Sequence, residues 1–97
     1  MSTSEHAWLA LSQDQESVTV TLSRPTEING VKQDRITLRT PTVADLRNAS
    51  KHSKGDVDAQ DIFLFASLAE CAPTDIERLS IKDYNRIKEG YFRLVND

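Results

Sequence analysis

Few residues in this chain are of kinds that do chemistry, and none stands at a catalytic spacing. The two histidines, His6 and His52, fall in a polar N-terminal arm and in a polar break, where neither is supported as a ligand or base. Asp56, Asp58 and Asp61 hint at a calcium loop, but the glycine and closing glutamate that such a loop requires are missing. These carboxylates read instead as complements to the positive end of a helix that begins beside them. Cys71 is the single cysteine; it excludes an intramolecular disulfide, fits a reducing cytoplasm and has no basic sequence neighbour to activate it. There is no glycine-rich phosphate loop, Cys/His metal spacing or nucleophile elbow. The expectation is a chain that is not an enzyme and holds no cofactor or metal.

Composition narrows the class further. At 97 residues the chain is one small domain, which buries only roughly 60–65% of its unfolded surface and gains from a partner. A net charge of −3 with 12 scattered basic residues argues against wrapping nucleic acid. The last helix carries Lys82, Arg86, Lys88 and Arg93 but also Asp83 and Glu89, so its charges read as a solvated face. The longest apolar run, Ile62 to Ala69, is interrupted by Ser67 and falls short of the ~18 residues of a membrane span. No secretory signal opens the chain.

The elements can be placed from pattern. Residues 1–16 read as a flexible arm, with a helical turn or a short edge strand around Trp8. That tryptophan either docks on the domain or anchors a partner. Residues 17–97 form one domain. Val18, Val20 and Leu22 alternate with Thr19, Thr21 and Ser23, and Ile36 and Leu38 answer from beyond Asn29-Gly30, which makes residues 17–40 a hairpin. A plain two-residue loop would put the two apolar sets on opposite faces. One extra residue corrects this, either in a three-residue loop with Gly30 left-handed, pairing Leu22 with Ile36 and Val20 with Leu38, or in a bulge at Arg24-Pro25. The residues leave both open.

Ile36 to Arg47 then turns from sheet to helix. Pro41 ends the strand, Thr42 stands at an N-cap, and Asp45 completes a capping box. Helices are expected at about 43–51, with Val43, Leu46 and Ala49 inward, and at 58–72, stopped by Pro73. A short turn at 75–79 is capped by Thr74. The last helix, 81–95, is capped by Ser80 with Asp83, and its stripe is Ile81, Tyr84, Ile87 or Lys88, Tyr91 and Leu94. The 58–72 helix is apolar nearly all round, the pattern of a helix buried on two sides. The fold class is α+β: an N-terminal antiparallel β-hairpin, open to an extra edge strand, packed against three to four C-terminal helices.

Two segments carry a family resemblance: Thr37 to Arg47, and Leu79 to Ile87. Joined by an apolar helix and the proline-marked turn Cys71 to Leu79, their order resembles the short tail assembly chaperones of contractile-tailed temperate bacteriophages. The hairpin with Pro25, Ile28, Asn29 and Gly30 fits the family's opening, and the resemblance spans Val18 to Val95. It implies a chaperone that binds the tape measure protein in the host bacterial cytoplasm, shields it until tube subunits assemble, and is absent from the finished virion. The tail tube protein is a further implied partner, and the chain would correspond to the short form of a frameshifted pair. Phe63, Phe65, Tyr91 and Phe92 are the candidates for a groove that takes an amphipathic client helix, with Trp8 as a further anchor. Phe65 and Tyr91 lie on their helices' main stripes and read equally as core. A homo-oligomer would use the same patch. The alternatives are a small structural subunit of the tail, tube or baseplate, and a small DNA-binding regulator.

Overall fold

The structure, a computed structural model that describes residues 7–96, places three antiparallel strands ahead of four helices, so the fold is α+β. β1 is Leu9–Leu11, β2 Ser17–Ile28 and β3 Val31–Arg39, in sheet order β1-β2-β3. The helices are α1 Val43–Ser53, α2 Val57–Ala69, α3 Pro73–Glu77 and α4 Ile81–Val95. Within the expected arm, β1 is an edge strand that sets Leu9 opposite Val20 and Leu11 opposite Val18. The Thr21 N–H donates to the Trp8 carbonyl at 2.7 Å and extends this edge. His6 lies outside the described residues.

The hairpin resolves the register question in favour of the bulge. Asn29 and Gly30 both have positive φ, 55° and 78°, and Ile28 pairs directly with Val31. That is a two-residue turn of the primed kind, which only residues tolerant of left-handed backbone can make. The three-residue loop is therefore wrong. Regular pairing breaks instead between Thr21 and Thr26, where Leu22, Ser23, Arg24 and Pro25 stand against Asp34 alone. Pro25 has no N–H to lose, so it falls where no ladder bond is needed. The excess is larger than one residue, so the apolar pairs are Val20–Ile36 and Val18–Leu38 rather than Leu22–Ile36 and Val20–Leu38. Because the excess is odd, the apolar sets still share a face. That face buries Leu9, Val18, Val20, Leu22, Ile36 and Leu38. The opposite face is polar, with Thr19 and Thr37 hydroxyls 3.0 Å apart.

Helix α4 crosses β2 and β1, α2 lies against β3, and α1 packs chiefly on α2. Ile87 is fully buried, while Ile81 is 78% exposed, which corrects its expected inward place. The face on the sheet is Asp83, Ile87 and Gly90. A β-carbon at Gly90 would come within 2.9 Å of Val20 and 3.3 Å of Val18, so glycine is what lets the helix approach the strand. In α1 the buried residues are Ala49 and Ser53, and Val43 (75% exposed) and Leu46 (46%) are not inward as expected. The cause is that α1 rests on α2, a layer out from the sheet, through small residues.

The strand-to-helix corner forms as its residues dictate. Thr42 Oγ1 accepts from the Asp45 N–H at 3.2 Å, and an Asp45 carboxylate oxygen accepts from the Thr42 N–H at 2.8 Å. Arg39, at the end of β3, adds a two-pronged contact to the same carboxylate at 2.8 and 3.0 Å. The Arg39 guanidinium, followed by the Thr42 N–H, holds the Asp45 carboxyl far below the usual carboxylate range. A carboxyl held low in the folded state binds its proton more weakly there than in the unfolded chain. Its contribution is therefore full above its ordinary value near 3.8 and is lost as pH falls below it. The Arg39 side chain is 43% exposed, and water screening keeps that contribution small. Asp45→Asn should cost about 0.5–1 kcal/mol at pH 7. In thermal melts across pH, its deficit against the native chain should begin to shrink below about pH 4 and diminish progressively as the pH falls further.

Helix α2 ends at Ala69, earlier than the expected Ala72, because Glu70 turns left-handed at φ 58° and the Cys71 N–H closes back on the Ala66 carbonyl. Pro73 does not stop α2; it is the first residue of α3, whose N-cap is Ala72 and not Thr74. Two N3 aspartates then reach beyond their own helices. Asp75 Oδ2 accepts from the N–H groups of Ala72 and of Asn29 in the hairpin turn, both at 3.2 Å, while Oδ1 meets Arg78. The Asn29 N–H, more than any other contact, holds the Asp75 carboxyl below its ordinary range. Asp83 Oδ1 accepts from the Ser23 N–H in the bulge at 2.7 Å, while Ser80 caps α4 through the Asp83 N–H. Both are clamps from a helix N-terminus onto the hairpin, Asp75 at its turn and Asp83 at the bulge in β2.

Candidate functional site

Between α2 and α4 the backbones stay apart and aromatic rings fill the gap. Phe65 is buried on α2 and meets Tyr84 edge-on at 5.8 Å and Tyr91 at 5.4 Å, both from α4. Where this seam opens beside α3 there is a groove of about 200 Å³ lined by Ile62, Ile76, Glu77, Leu79, Ile81 and Tyr84. Ile76 and Leu79 form its buried floor and Ile81 its exposed lip. Burial, then the charges of Asp61 and Asp58, push the Tyr84 hydroxyl above its ordinary pKa. On α2, Asp61 immediately precedes the groove residue Ile62 and Asp58 stands one helical turn before it. Lys88 stands over the Tyr84 ring at 5.6 Å.

Beyond the groove, the same flank of α4 carries an apolar row at helical spacing. Ile81, Tyr84, Phe92 (56% exposed) and Val95 (46%) follow one another with only Lys88 among them. Tyr84 packs on Phe65 from this row, while Ile81, Phe92 and Val95 are exposed. A helix whose buried face points to a sheet and whose flank stays apolar offers a second contact surface. A larger hollow of about 590 Å³ lies along β3 and is lined mostly by polar residues, among them Arg35 and Arg39. Arg39 is already committed to Asp45.

The order of hairpin, capped corner, apolar helix and second capped helix is now matched by comparison. A family model described as phage tail assembly chaperone proteins, E, or 41 or 14, matches residues 19–96. The chain belongs to the phage tail assembly chaperone family. No curated protein and no solved structure matches. The family is defined by assembly and not by a reaction, which suggests a role without catalysis. Among the described residues no group of three His, Cys, Asp or Glu converges as a metal site, and no helix is long and apolar enough to cross a membrane.

In this assembly chaperone the aromatic candidates go to different places. Phe65 and Tyr91 come together in the seam, with Phe65 fully enclosed. Phe63 stacks on His52 at 4.3 Å, within the contact of α1 with α2. Phe92 stands on the outer row of α4. Trp8 is half-buried, with the Arg86 guanidinium 5.0 Å above its ring, on the other side of α4. The groove residues Ile62, Leu79, Ile81 and Tyr84 are absent from the candidates drawn from sequence. Their signal was present, since Ile81 follows the Ser80 cap and Ile62 lies three residues before Phe65. An isoleucine at a helix start reads as core, however, and only the turn that α4 takes in the fold puts it outside.

Cys71 is not part of this surface chemistry. Burial first, then the Asp75 charge, lifts its thiol from about 9 up to about 11. At pH 8 the thiolate fraction should be roughly a hundredfold lower than for an unperturbed thiol. Alkylation by iodoacetamide followed by mass spectrometry should be correspondingly slow, and should recover its normal rate in urea.

Proposed function

We infer that this assembly chaperone binds the tape measure protein in the host cytoplasm, covers its apolar surface until tube subunits arrive, and is left out of the finished virion. The observation that carries this reading is the exposed apolar row Ile81, Phe92 and Val95 on α4, continuous with the groove lined by Tyr84. An amphipathic client helix laid along α4 buries its own apolar stripe against that row. Such contacts are local and reversible, as a holder that is later displaced requires.

Co-expression tests it directly. The tape measure protein should remain soluble and co-purify with the native chain, and the double variant Ile81→Glu/Phe92→Glu should lose that complex while keeping its melting transition. Both residues are exposed, so the charges cost the fold little. A tape measure protein that gains no solubility from the native chain would remove the basis of the reading. Mass spectrometry of purified particles supplies the other arm: the chain among virion proteins would make it a structural subunit instead.

A further inference from the structure

The α2–α4 groove has a charge as well as an apolar lining. Its floor and lip are Ile62, Ile76, Leu79 and Ile81 with the Tyr84 ring, while Glu77 lies in its wall. On α2, Asp61 immediately precedes Ile62 of the groove and Asp58 lies one helical turn before it, the side from which both act on the Tyr84 hydroxyl. Among the described residues none of these three carboxylates has an ion-pair partner, whereas Asp34, Asp45, Asp75 and Glu89 each do. Lys88 is over the ring of Tyr84, and Arg78, beside Glu77 in sequence, is paired with Asp75. At about 200 Å³ the groove is smaller than the roughly 300–1,000 Å³ of small-molecule sites, and it suits one or two apolar side chains of a peptide.

We propose that this groove selects an amphipathic helical segment whose apolar anchor is flanked, one turn away, by lysine or arginine. The proposal rests on the client-holding reading and names the chemistry of the client segment that enters there. The anchor fills the space between Ile62, Ile81 and Tyr84, and the flanking cation meets Asp58, Asp61 and Glu77. A segment flanked by glutamate would bring like charges together beside a low-dielectric wall, so the groove discriminates by repulsion as well as attraction. Rim charges of this kind act on encounter and choice of partner more than on raw affinity, and their effect weakens with salt.

Two synthetic helical peptides of equal length test this, with identical leucine positions and either lysine or glutamate at the flanking positions. Titrated into the 15N-labelled full chain at low salt, the lysine peptide should bind about tenfold tighter than the glutamate peptide. Its amide shift changes should centre on Ile62, Leu79, Ile81 and Tyr84. Asp58→Asn/Asp61→Asn should reduce the preference to about twofold, while the hairpin control Glu27→Gln/Asp34→Asn should leave it intact. Equal affinities, absence of binding by either peptide, a preference that survives the α2 double variant, or shifts centred elsewhere would each overturn the proposal. If the lysine peptide seats in the groove but the tape measure protein gains no solubility, the charge preference stands and the client assignment falls.

Discussion

Asp83→Ala should cost the fold about 2–3 kcal/mol, the largest loss expected from removing a single polar group here. Asp83 is fully buried, and its Oδ1 is the acceptor for the Ser23 N–H at 2.7 Å. The bulge at Leu22 to Pro25 has given up its ladder bonds to β3, so this amide depends on the helix for a partner. Alanine removes the acceptor and leaves a hole between α4 and β2. Asp83→Asn is the informative companion, because it retains an acceptor at Oδ1. It places its amide where Oδ2 has no hydrogen-bond partner among the described residues, so it should lose less than alanine without matching the native chain. In urea unfolding the order should be native, Asn, Ala. For a domain of this size the alanine variant should melt about 10–20 °C lower. A loss no greater than that of an exposed polar substitution would mean that water replaces the carboxyl and that the clamp contributes little.

Gly90→Leu should be worse still, at about 3 kcal/mol or more, because there is no space for a side chain where α4 lies on β2. Even alanine puts its β-carbon 2.9 Å from Val20 Cγ2 and 3.3 Å from Val18 Cγ1. Both valines are fully buried and β-branched, so neither can rotate out of the way. Helix propensity pulls in the other direction, since glycine inside a helix is about 1 kcal/mol worse than alanine. The clash should win, leaving Gly90→Ala about 1–2 kcal/mol less stable than the native chain. The deciding measurement is a double-mutant cycle with Val20→Ala. If the close contact is the cause, Gly90→Ala should become neutral or stabilising in that background, since only the propensity gain remains. Additive effects would locate the cost somewhere else.

Local chemistry carried much of this architecture into the sequence. Thr42 and Asp45 make their capping box, the Val/Thr alternation of β2 makes its half-buried strand, and Ser80 caps α4. What escaped was tertiary. Asp75 and Asp83 occupy positions where an acidic residue is sufficiently explained by helix capping, so nothing in the pattern announces that their carboxyl oxygens are shared with, or given over to, hairpin amides 46 and 60 residues away. The direction of α4 escapes the pattern for a related reason. A stripe drawn through its apolar residues takes in Ile81 and leaves out Asp83 and Gly90, yet the last two face the sheet because one hydrogen-bonds to it and the other lets it come close. The groove was hidden by the same error, since its lip is the isoleucine assigned to the core. Phe63 lies off its helix's main stripe, and its half-buried ring stacks on His52 of α1, a contact that the pattern of α2 alone does not show.

The clamp between Ser23 and Asp83 also sets a schedule. Synthesis runs from the N-terminus, and the bulged hairpin is complete long before α4 has been made. Until then its Ser23 amide has no acceptor, and Val18 and Val20 have no Gly90 surface to meet. A hairpin of this kind is marginal by itself, and contacts this far apart in sequence form late. The nascent strands should therefore stay open, and exposed to proteases, until the final fifteen-residue helix docks. The apolar row proposed to hold a client lies on that same helix, so on that reading α4 must dock on the sheet before the chain can hold another protein.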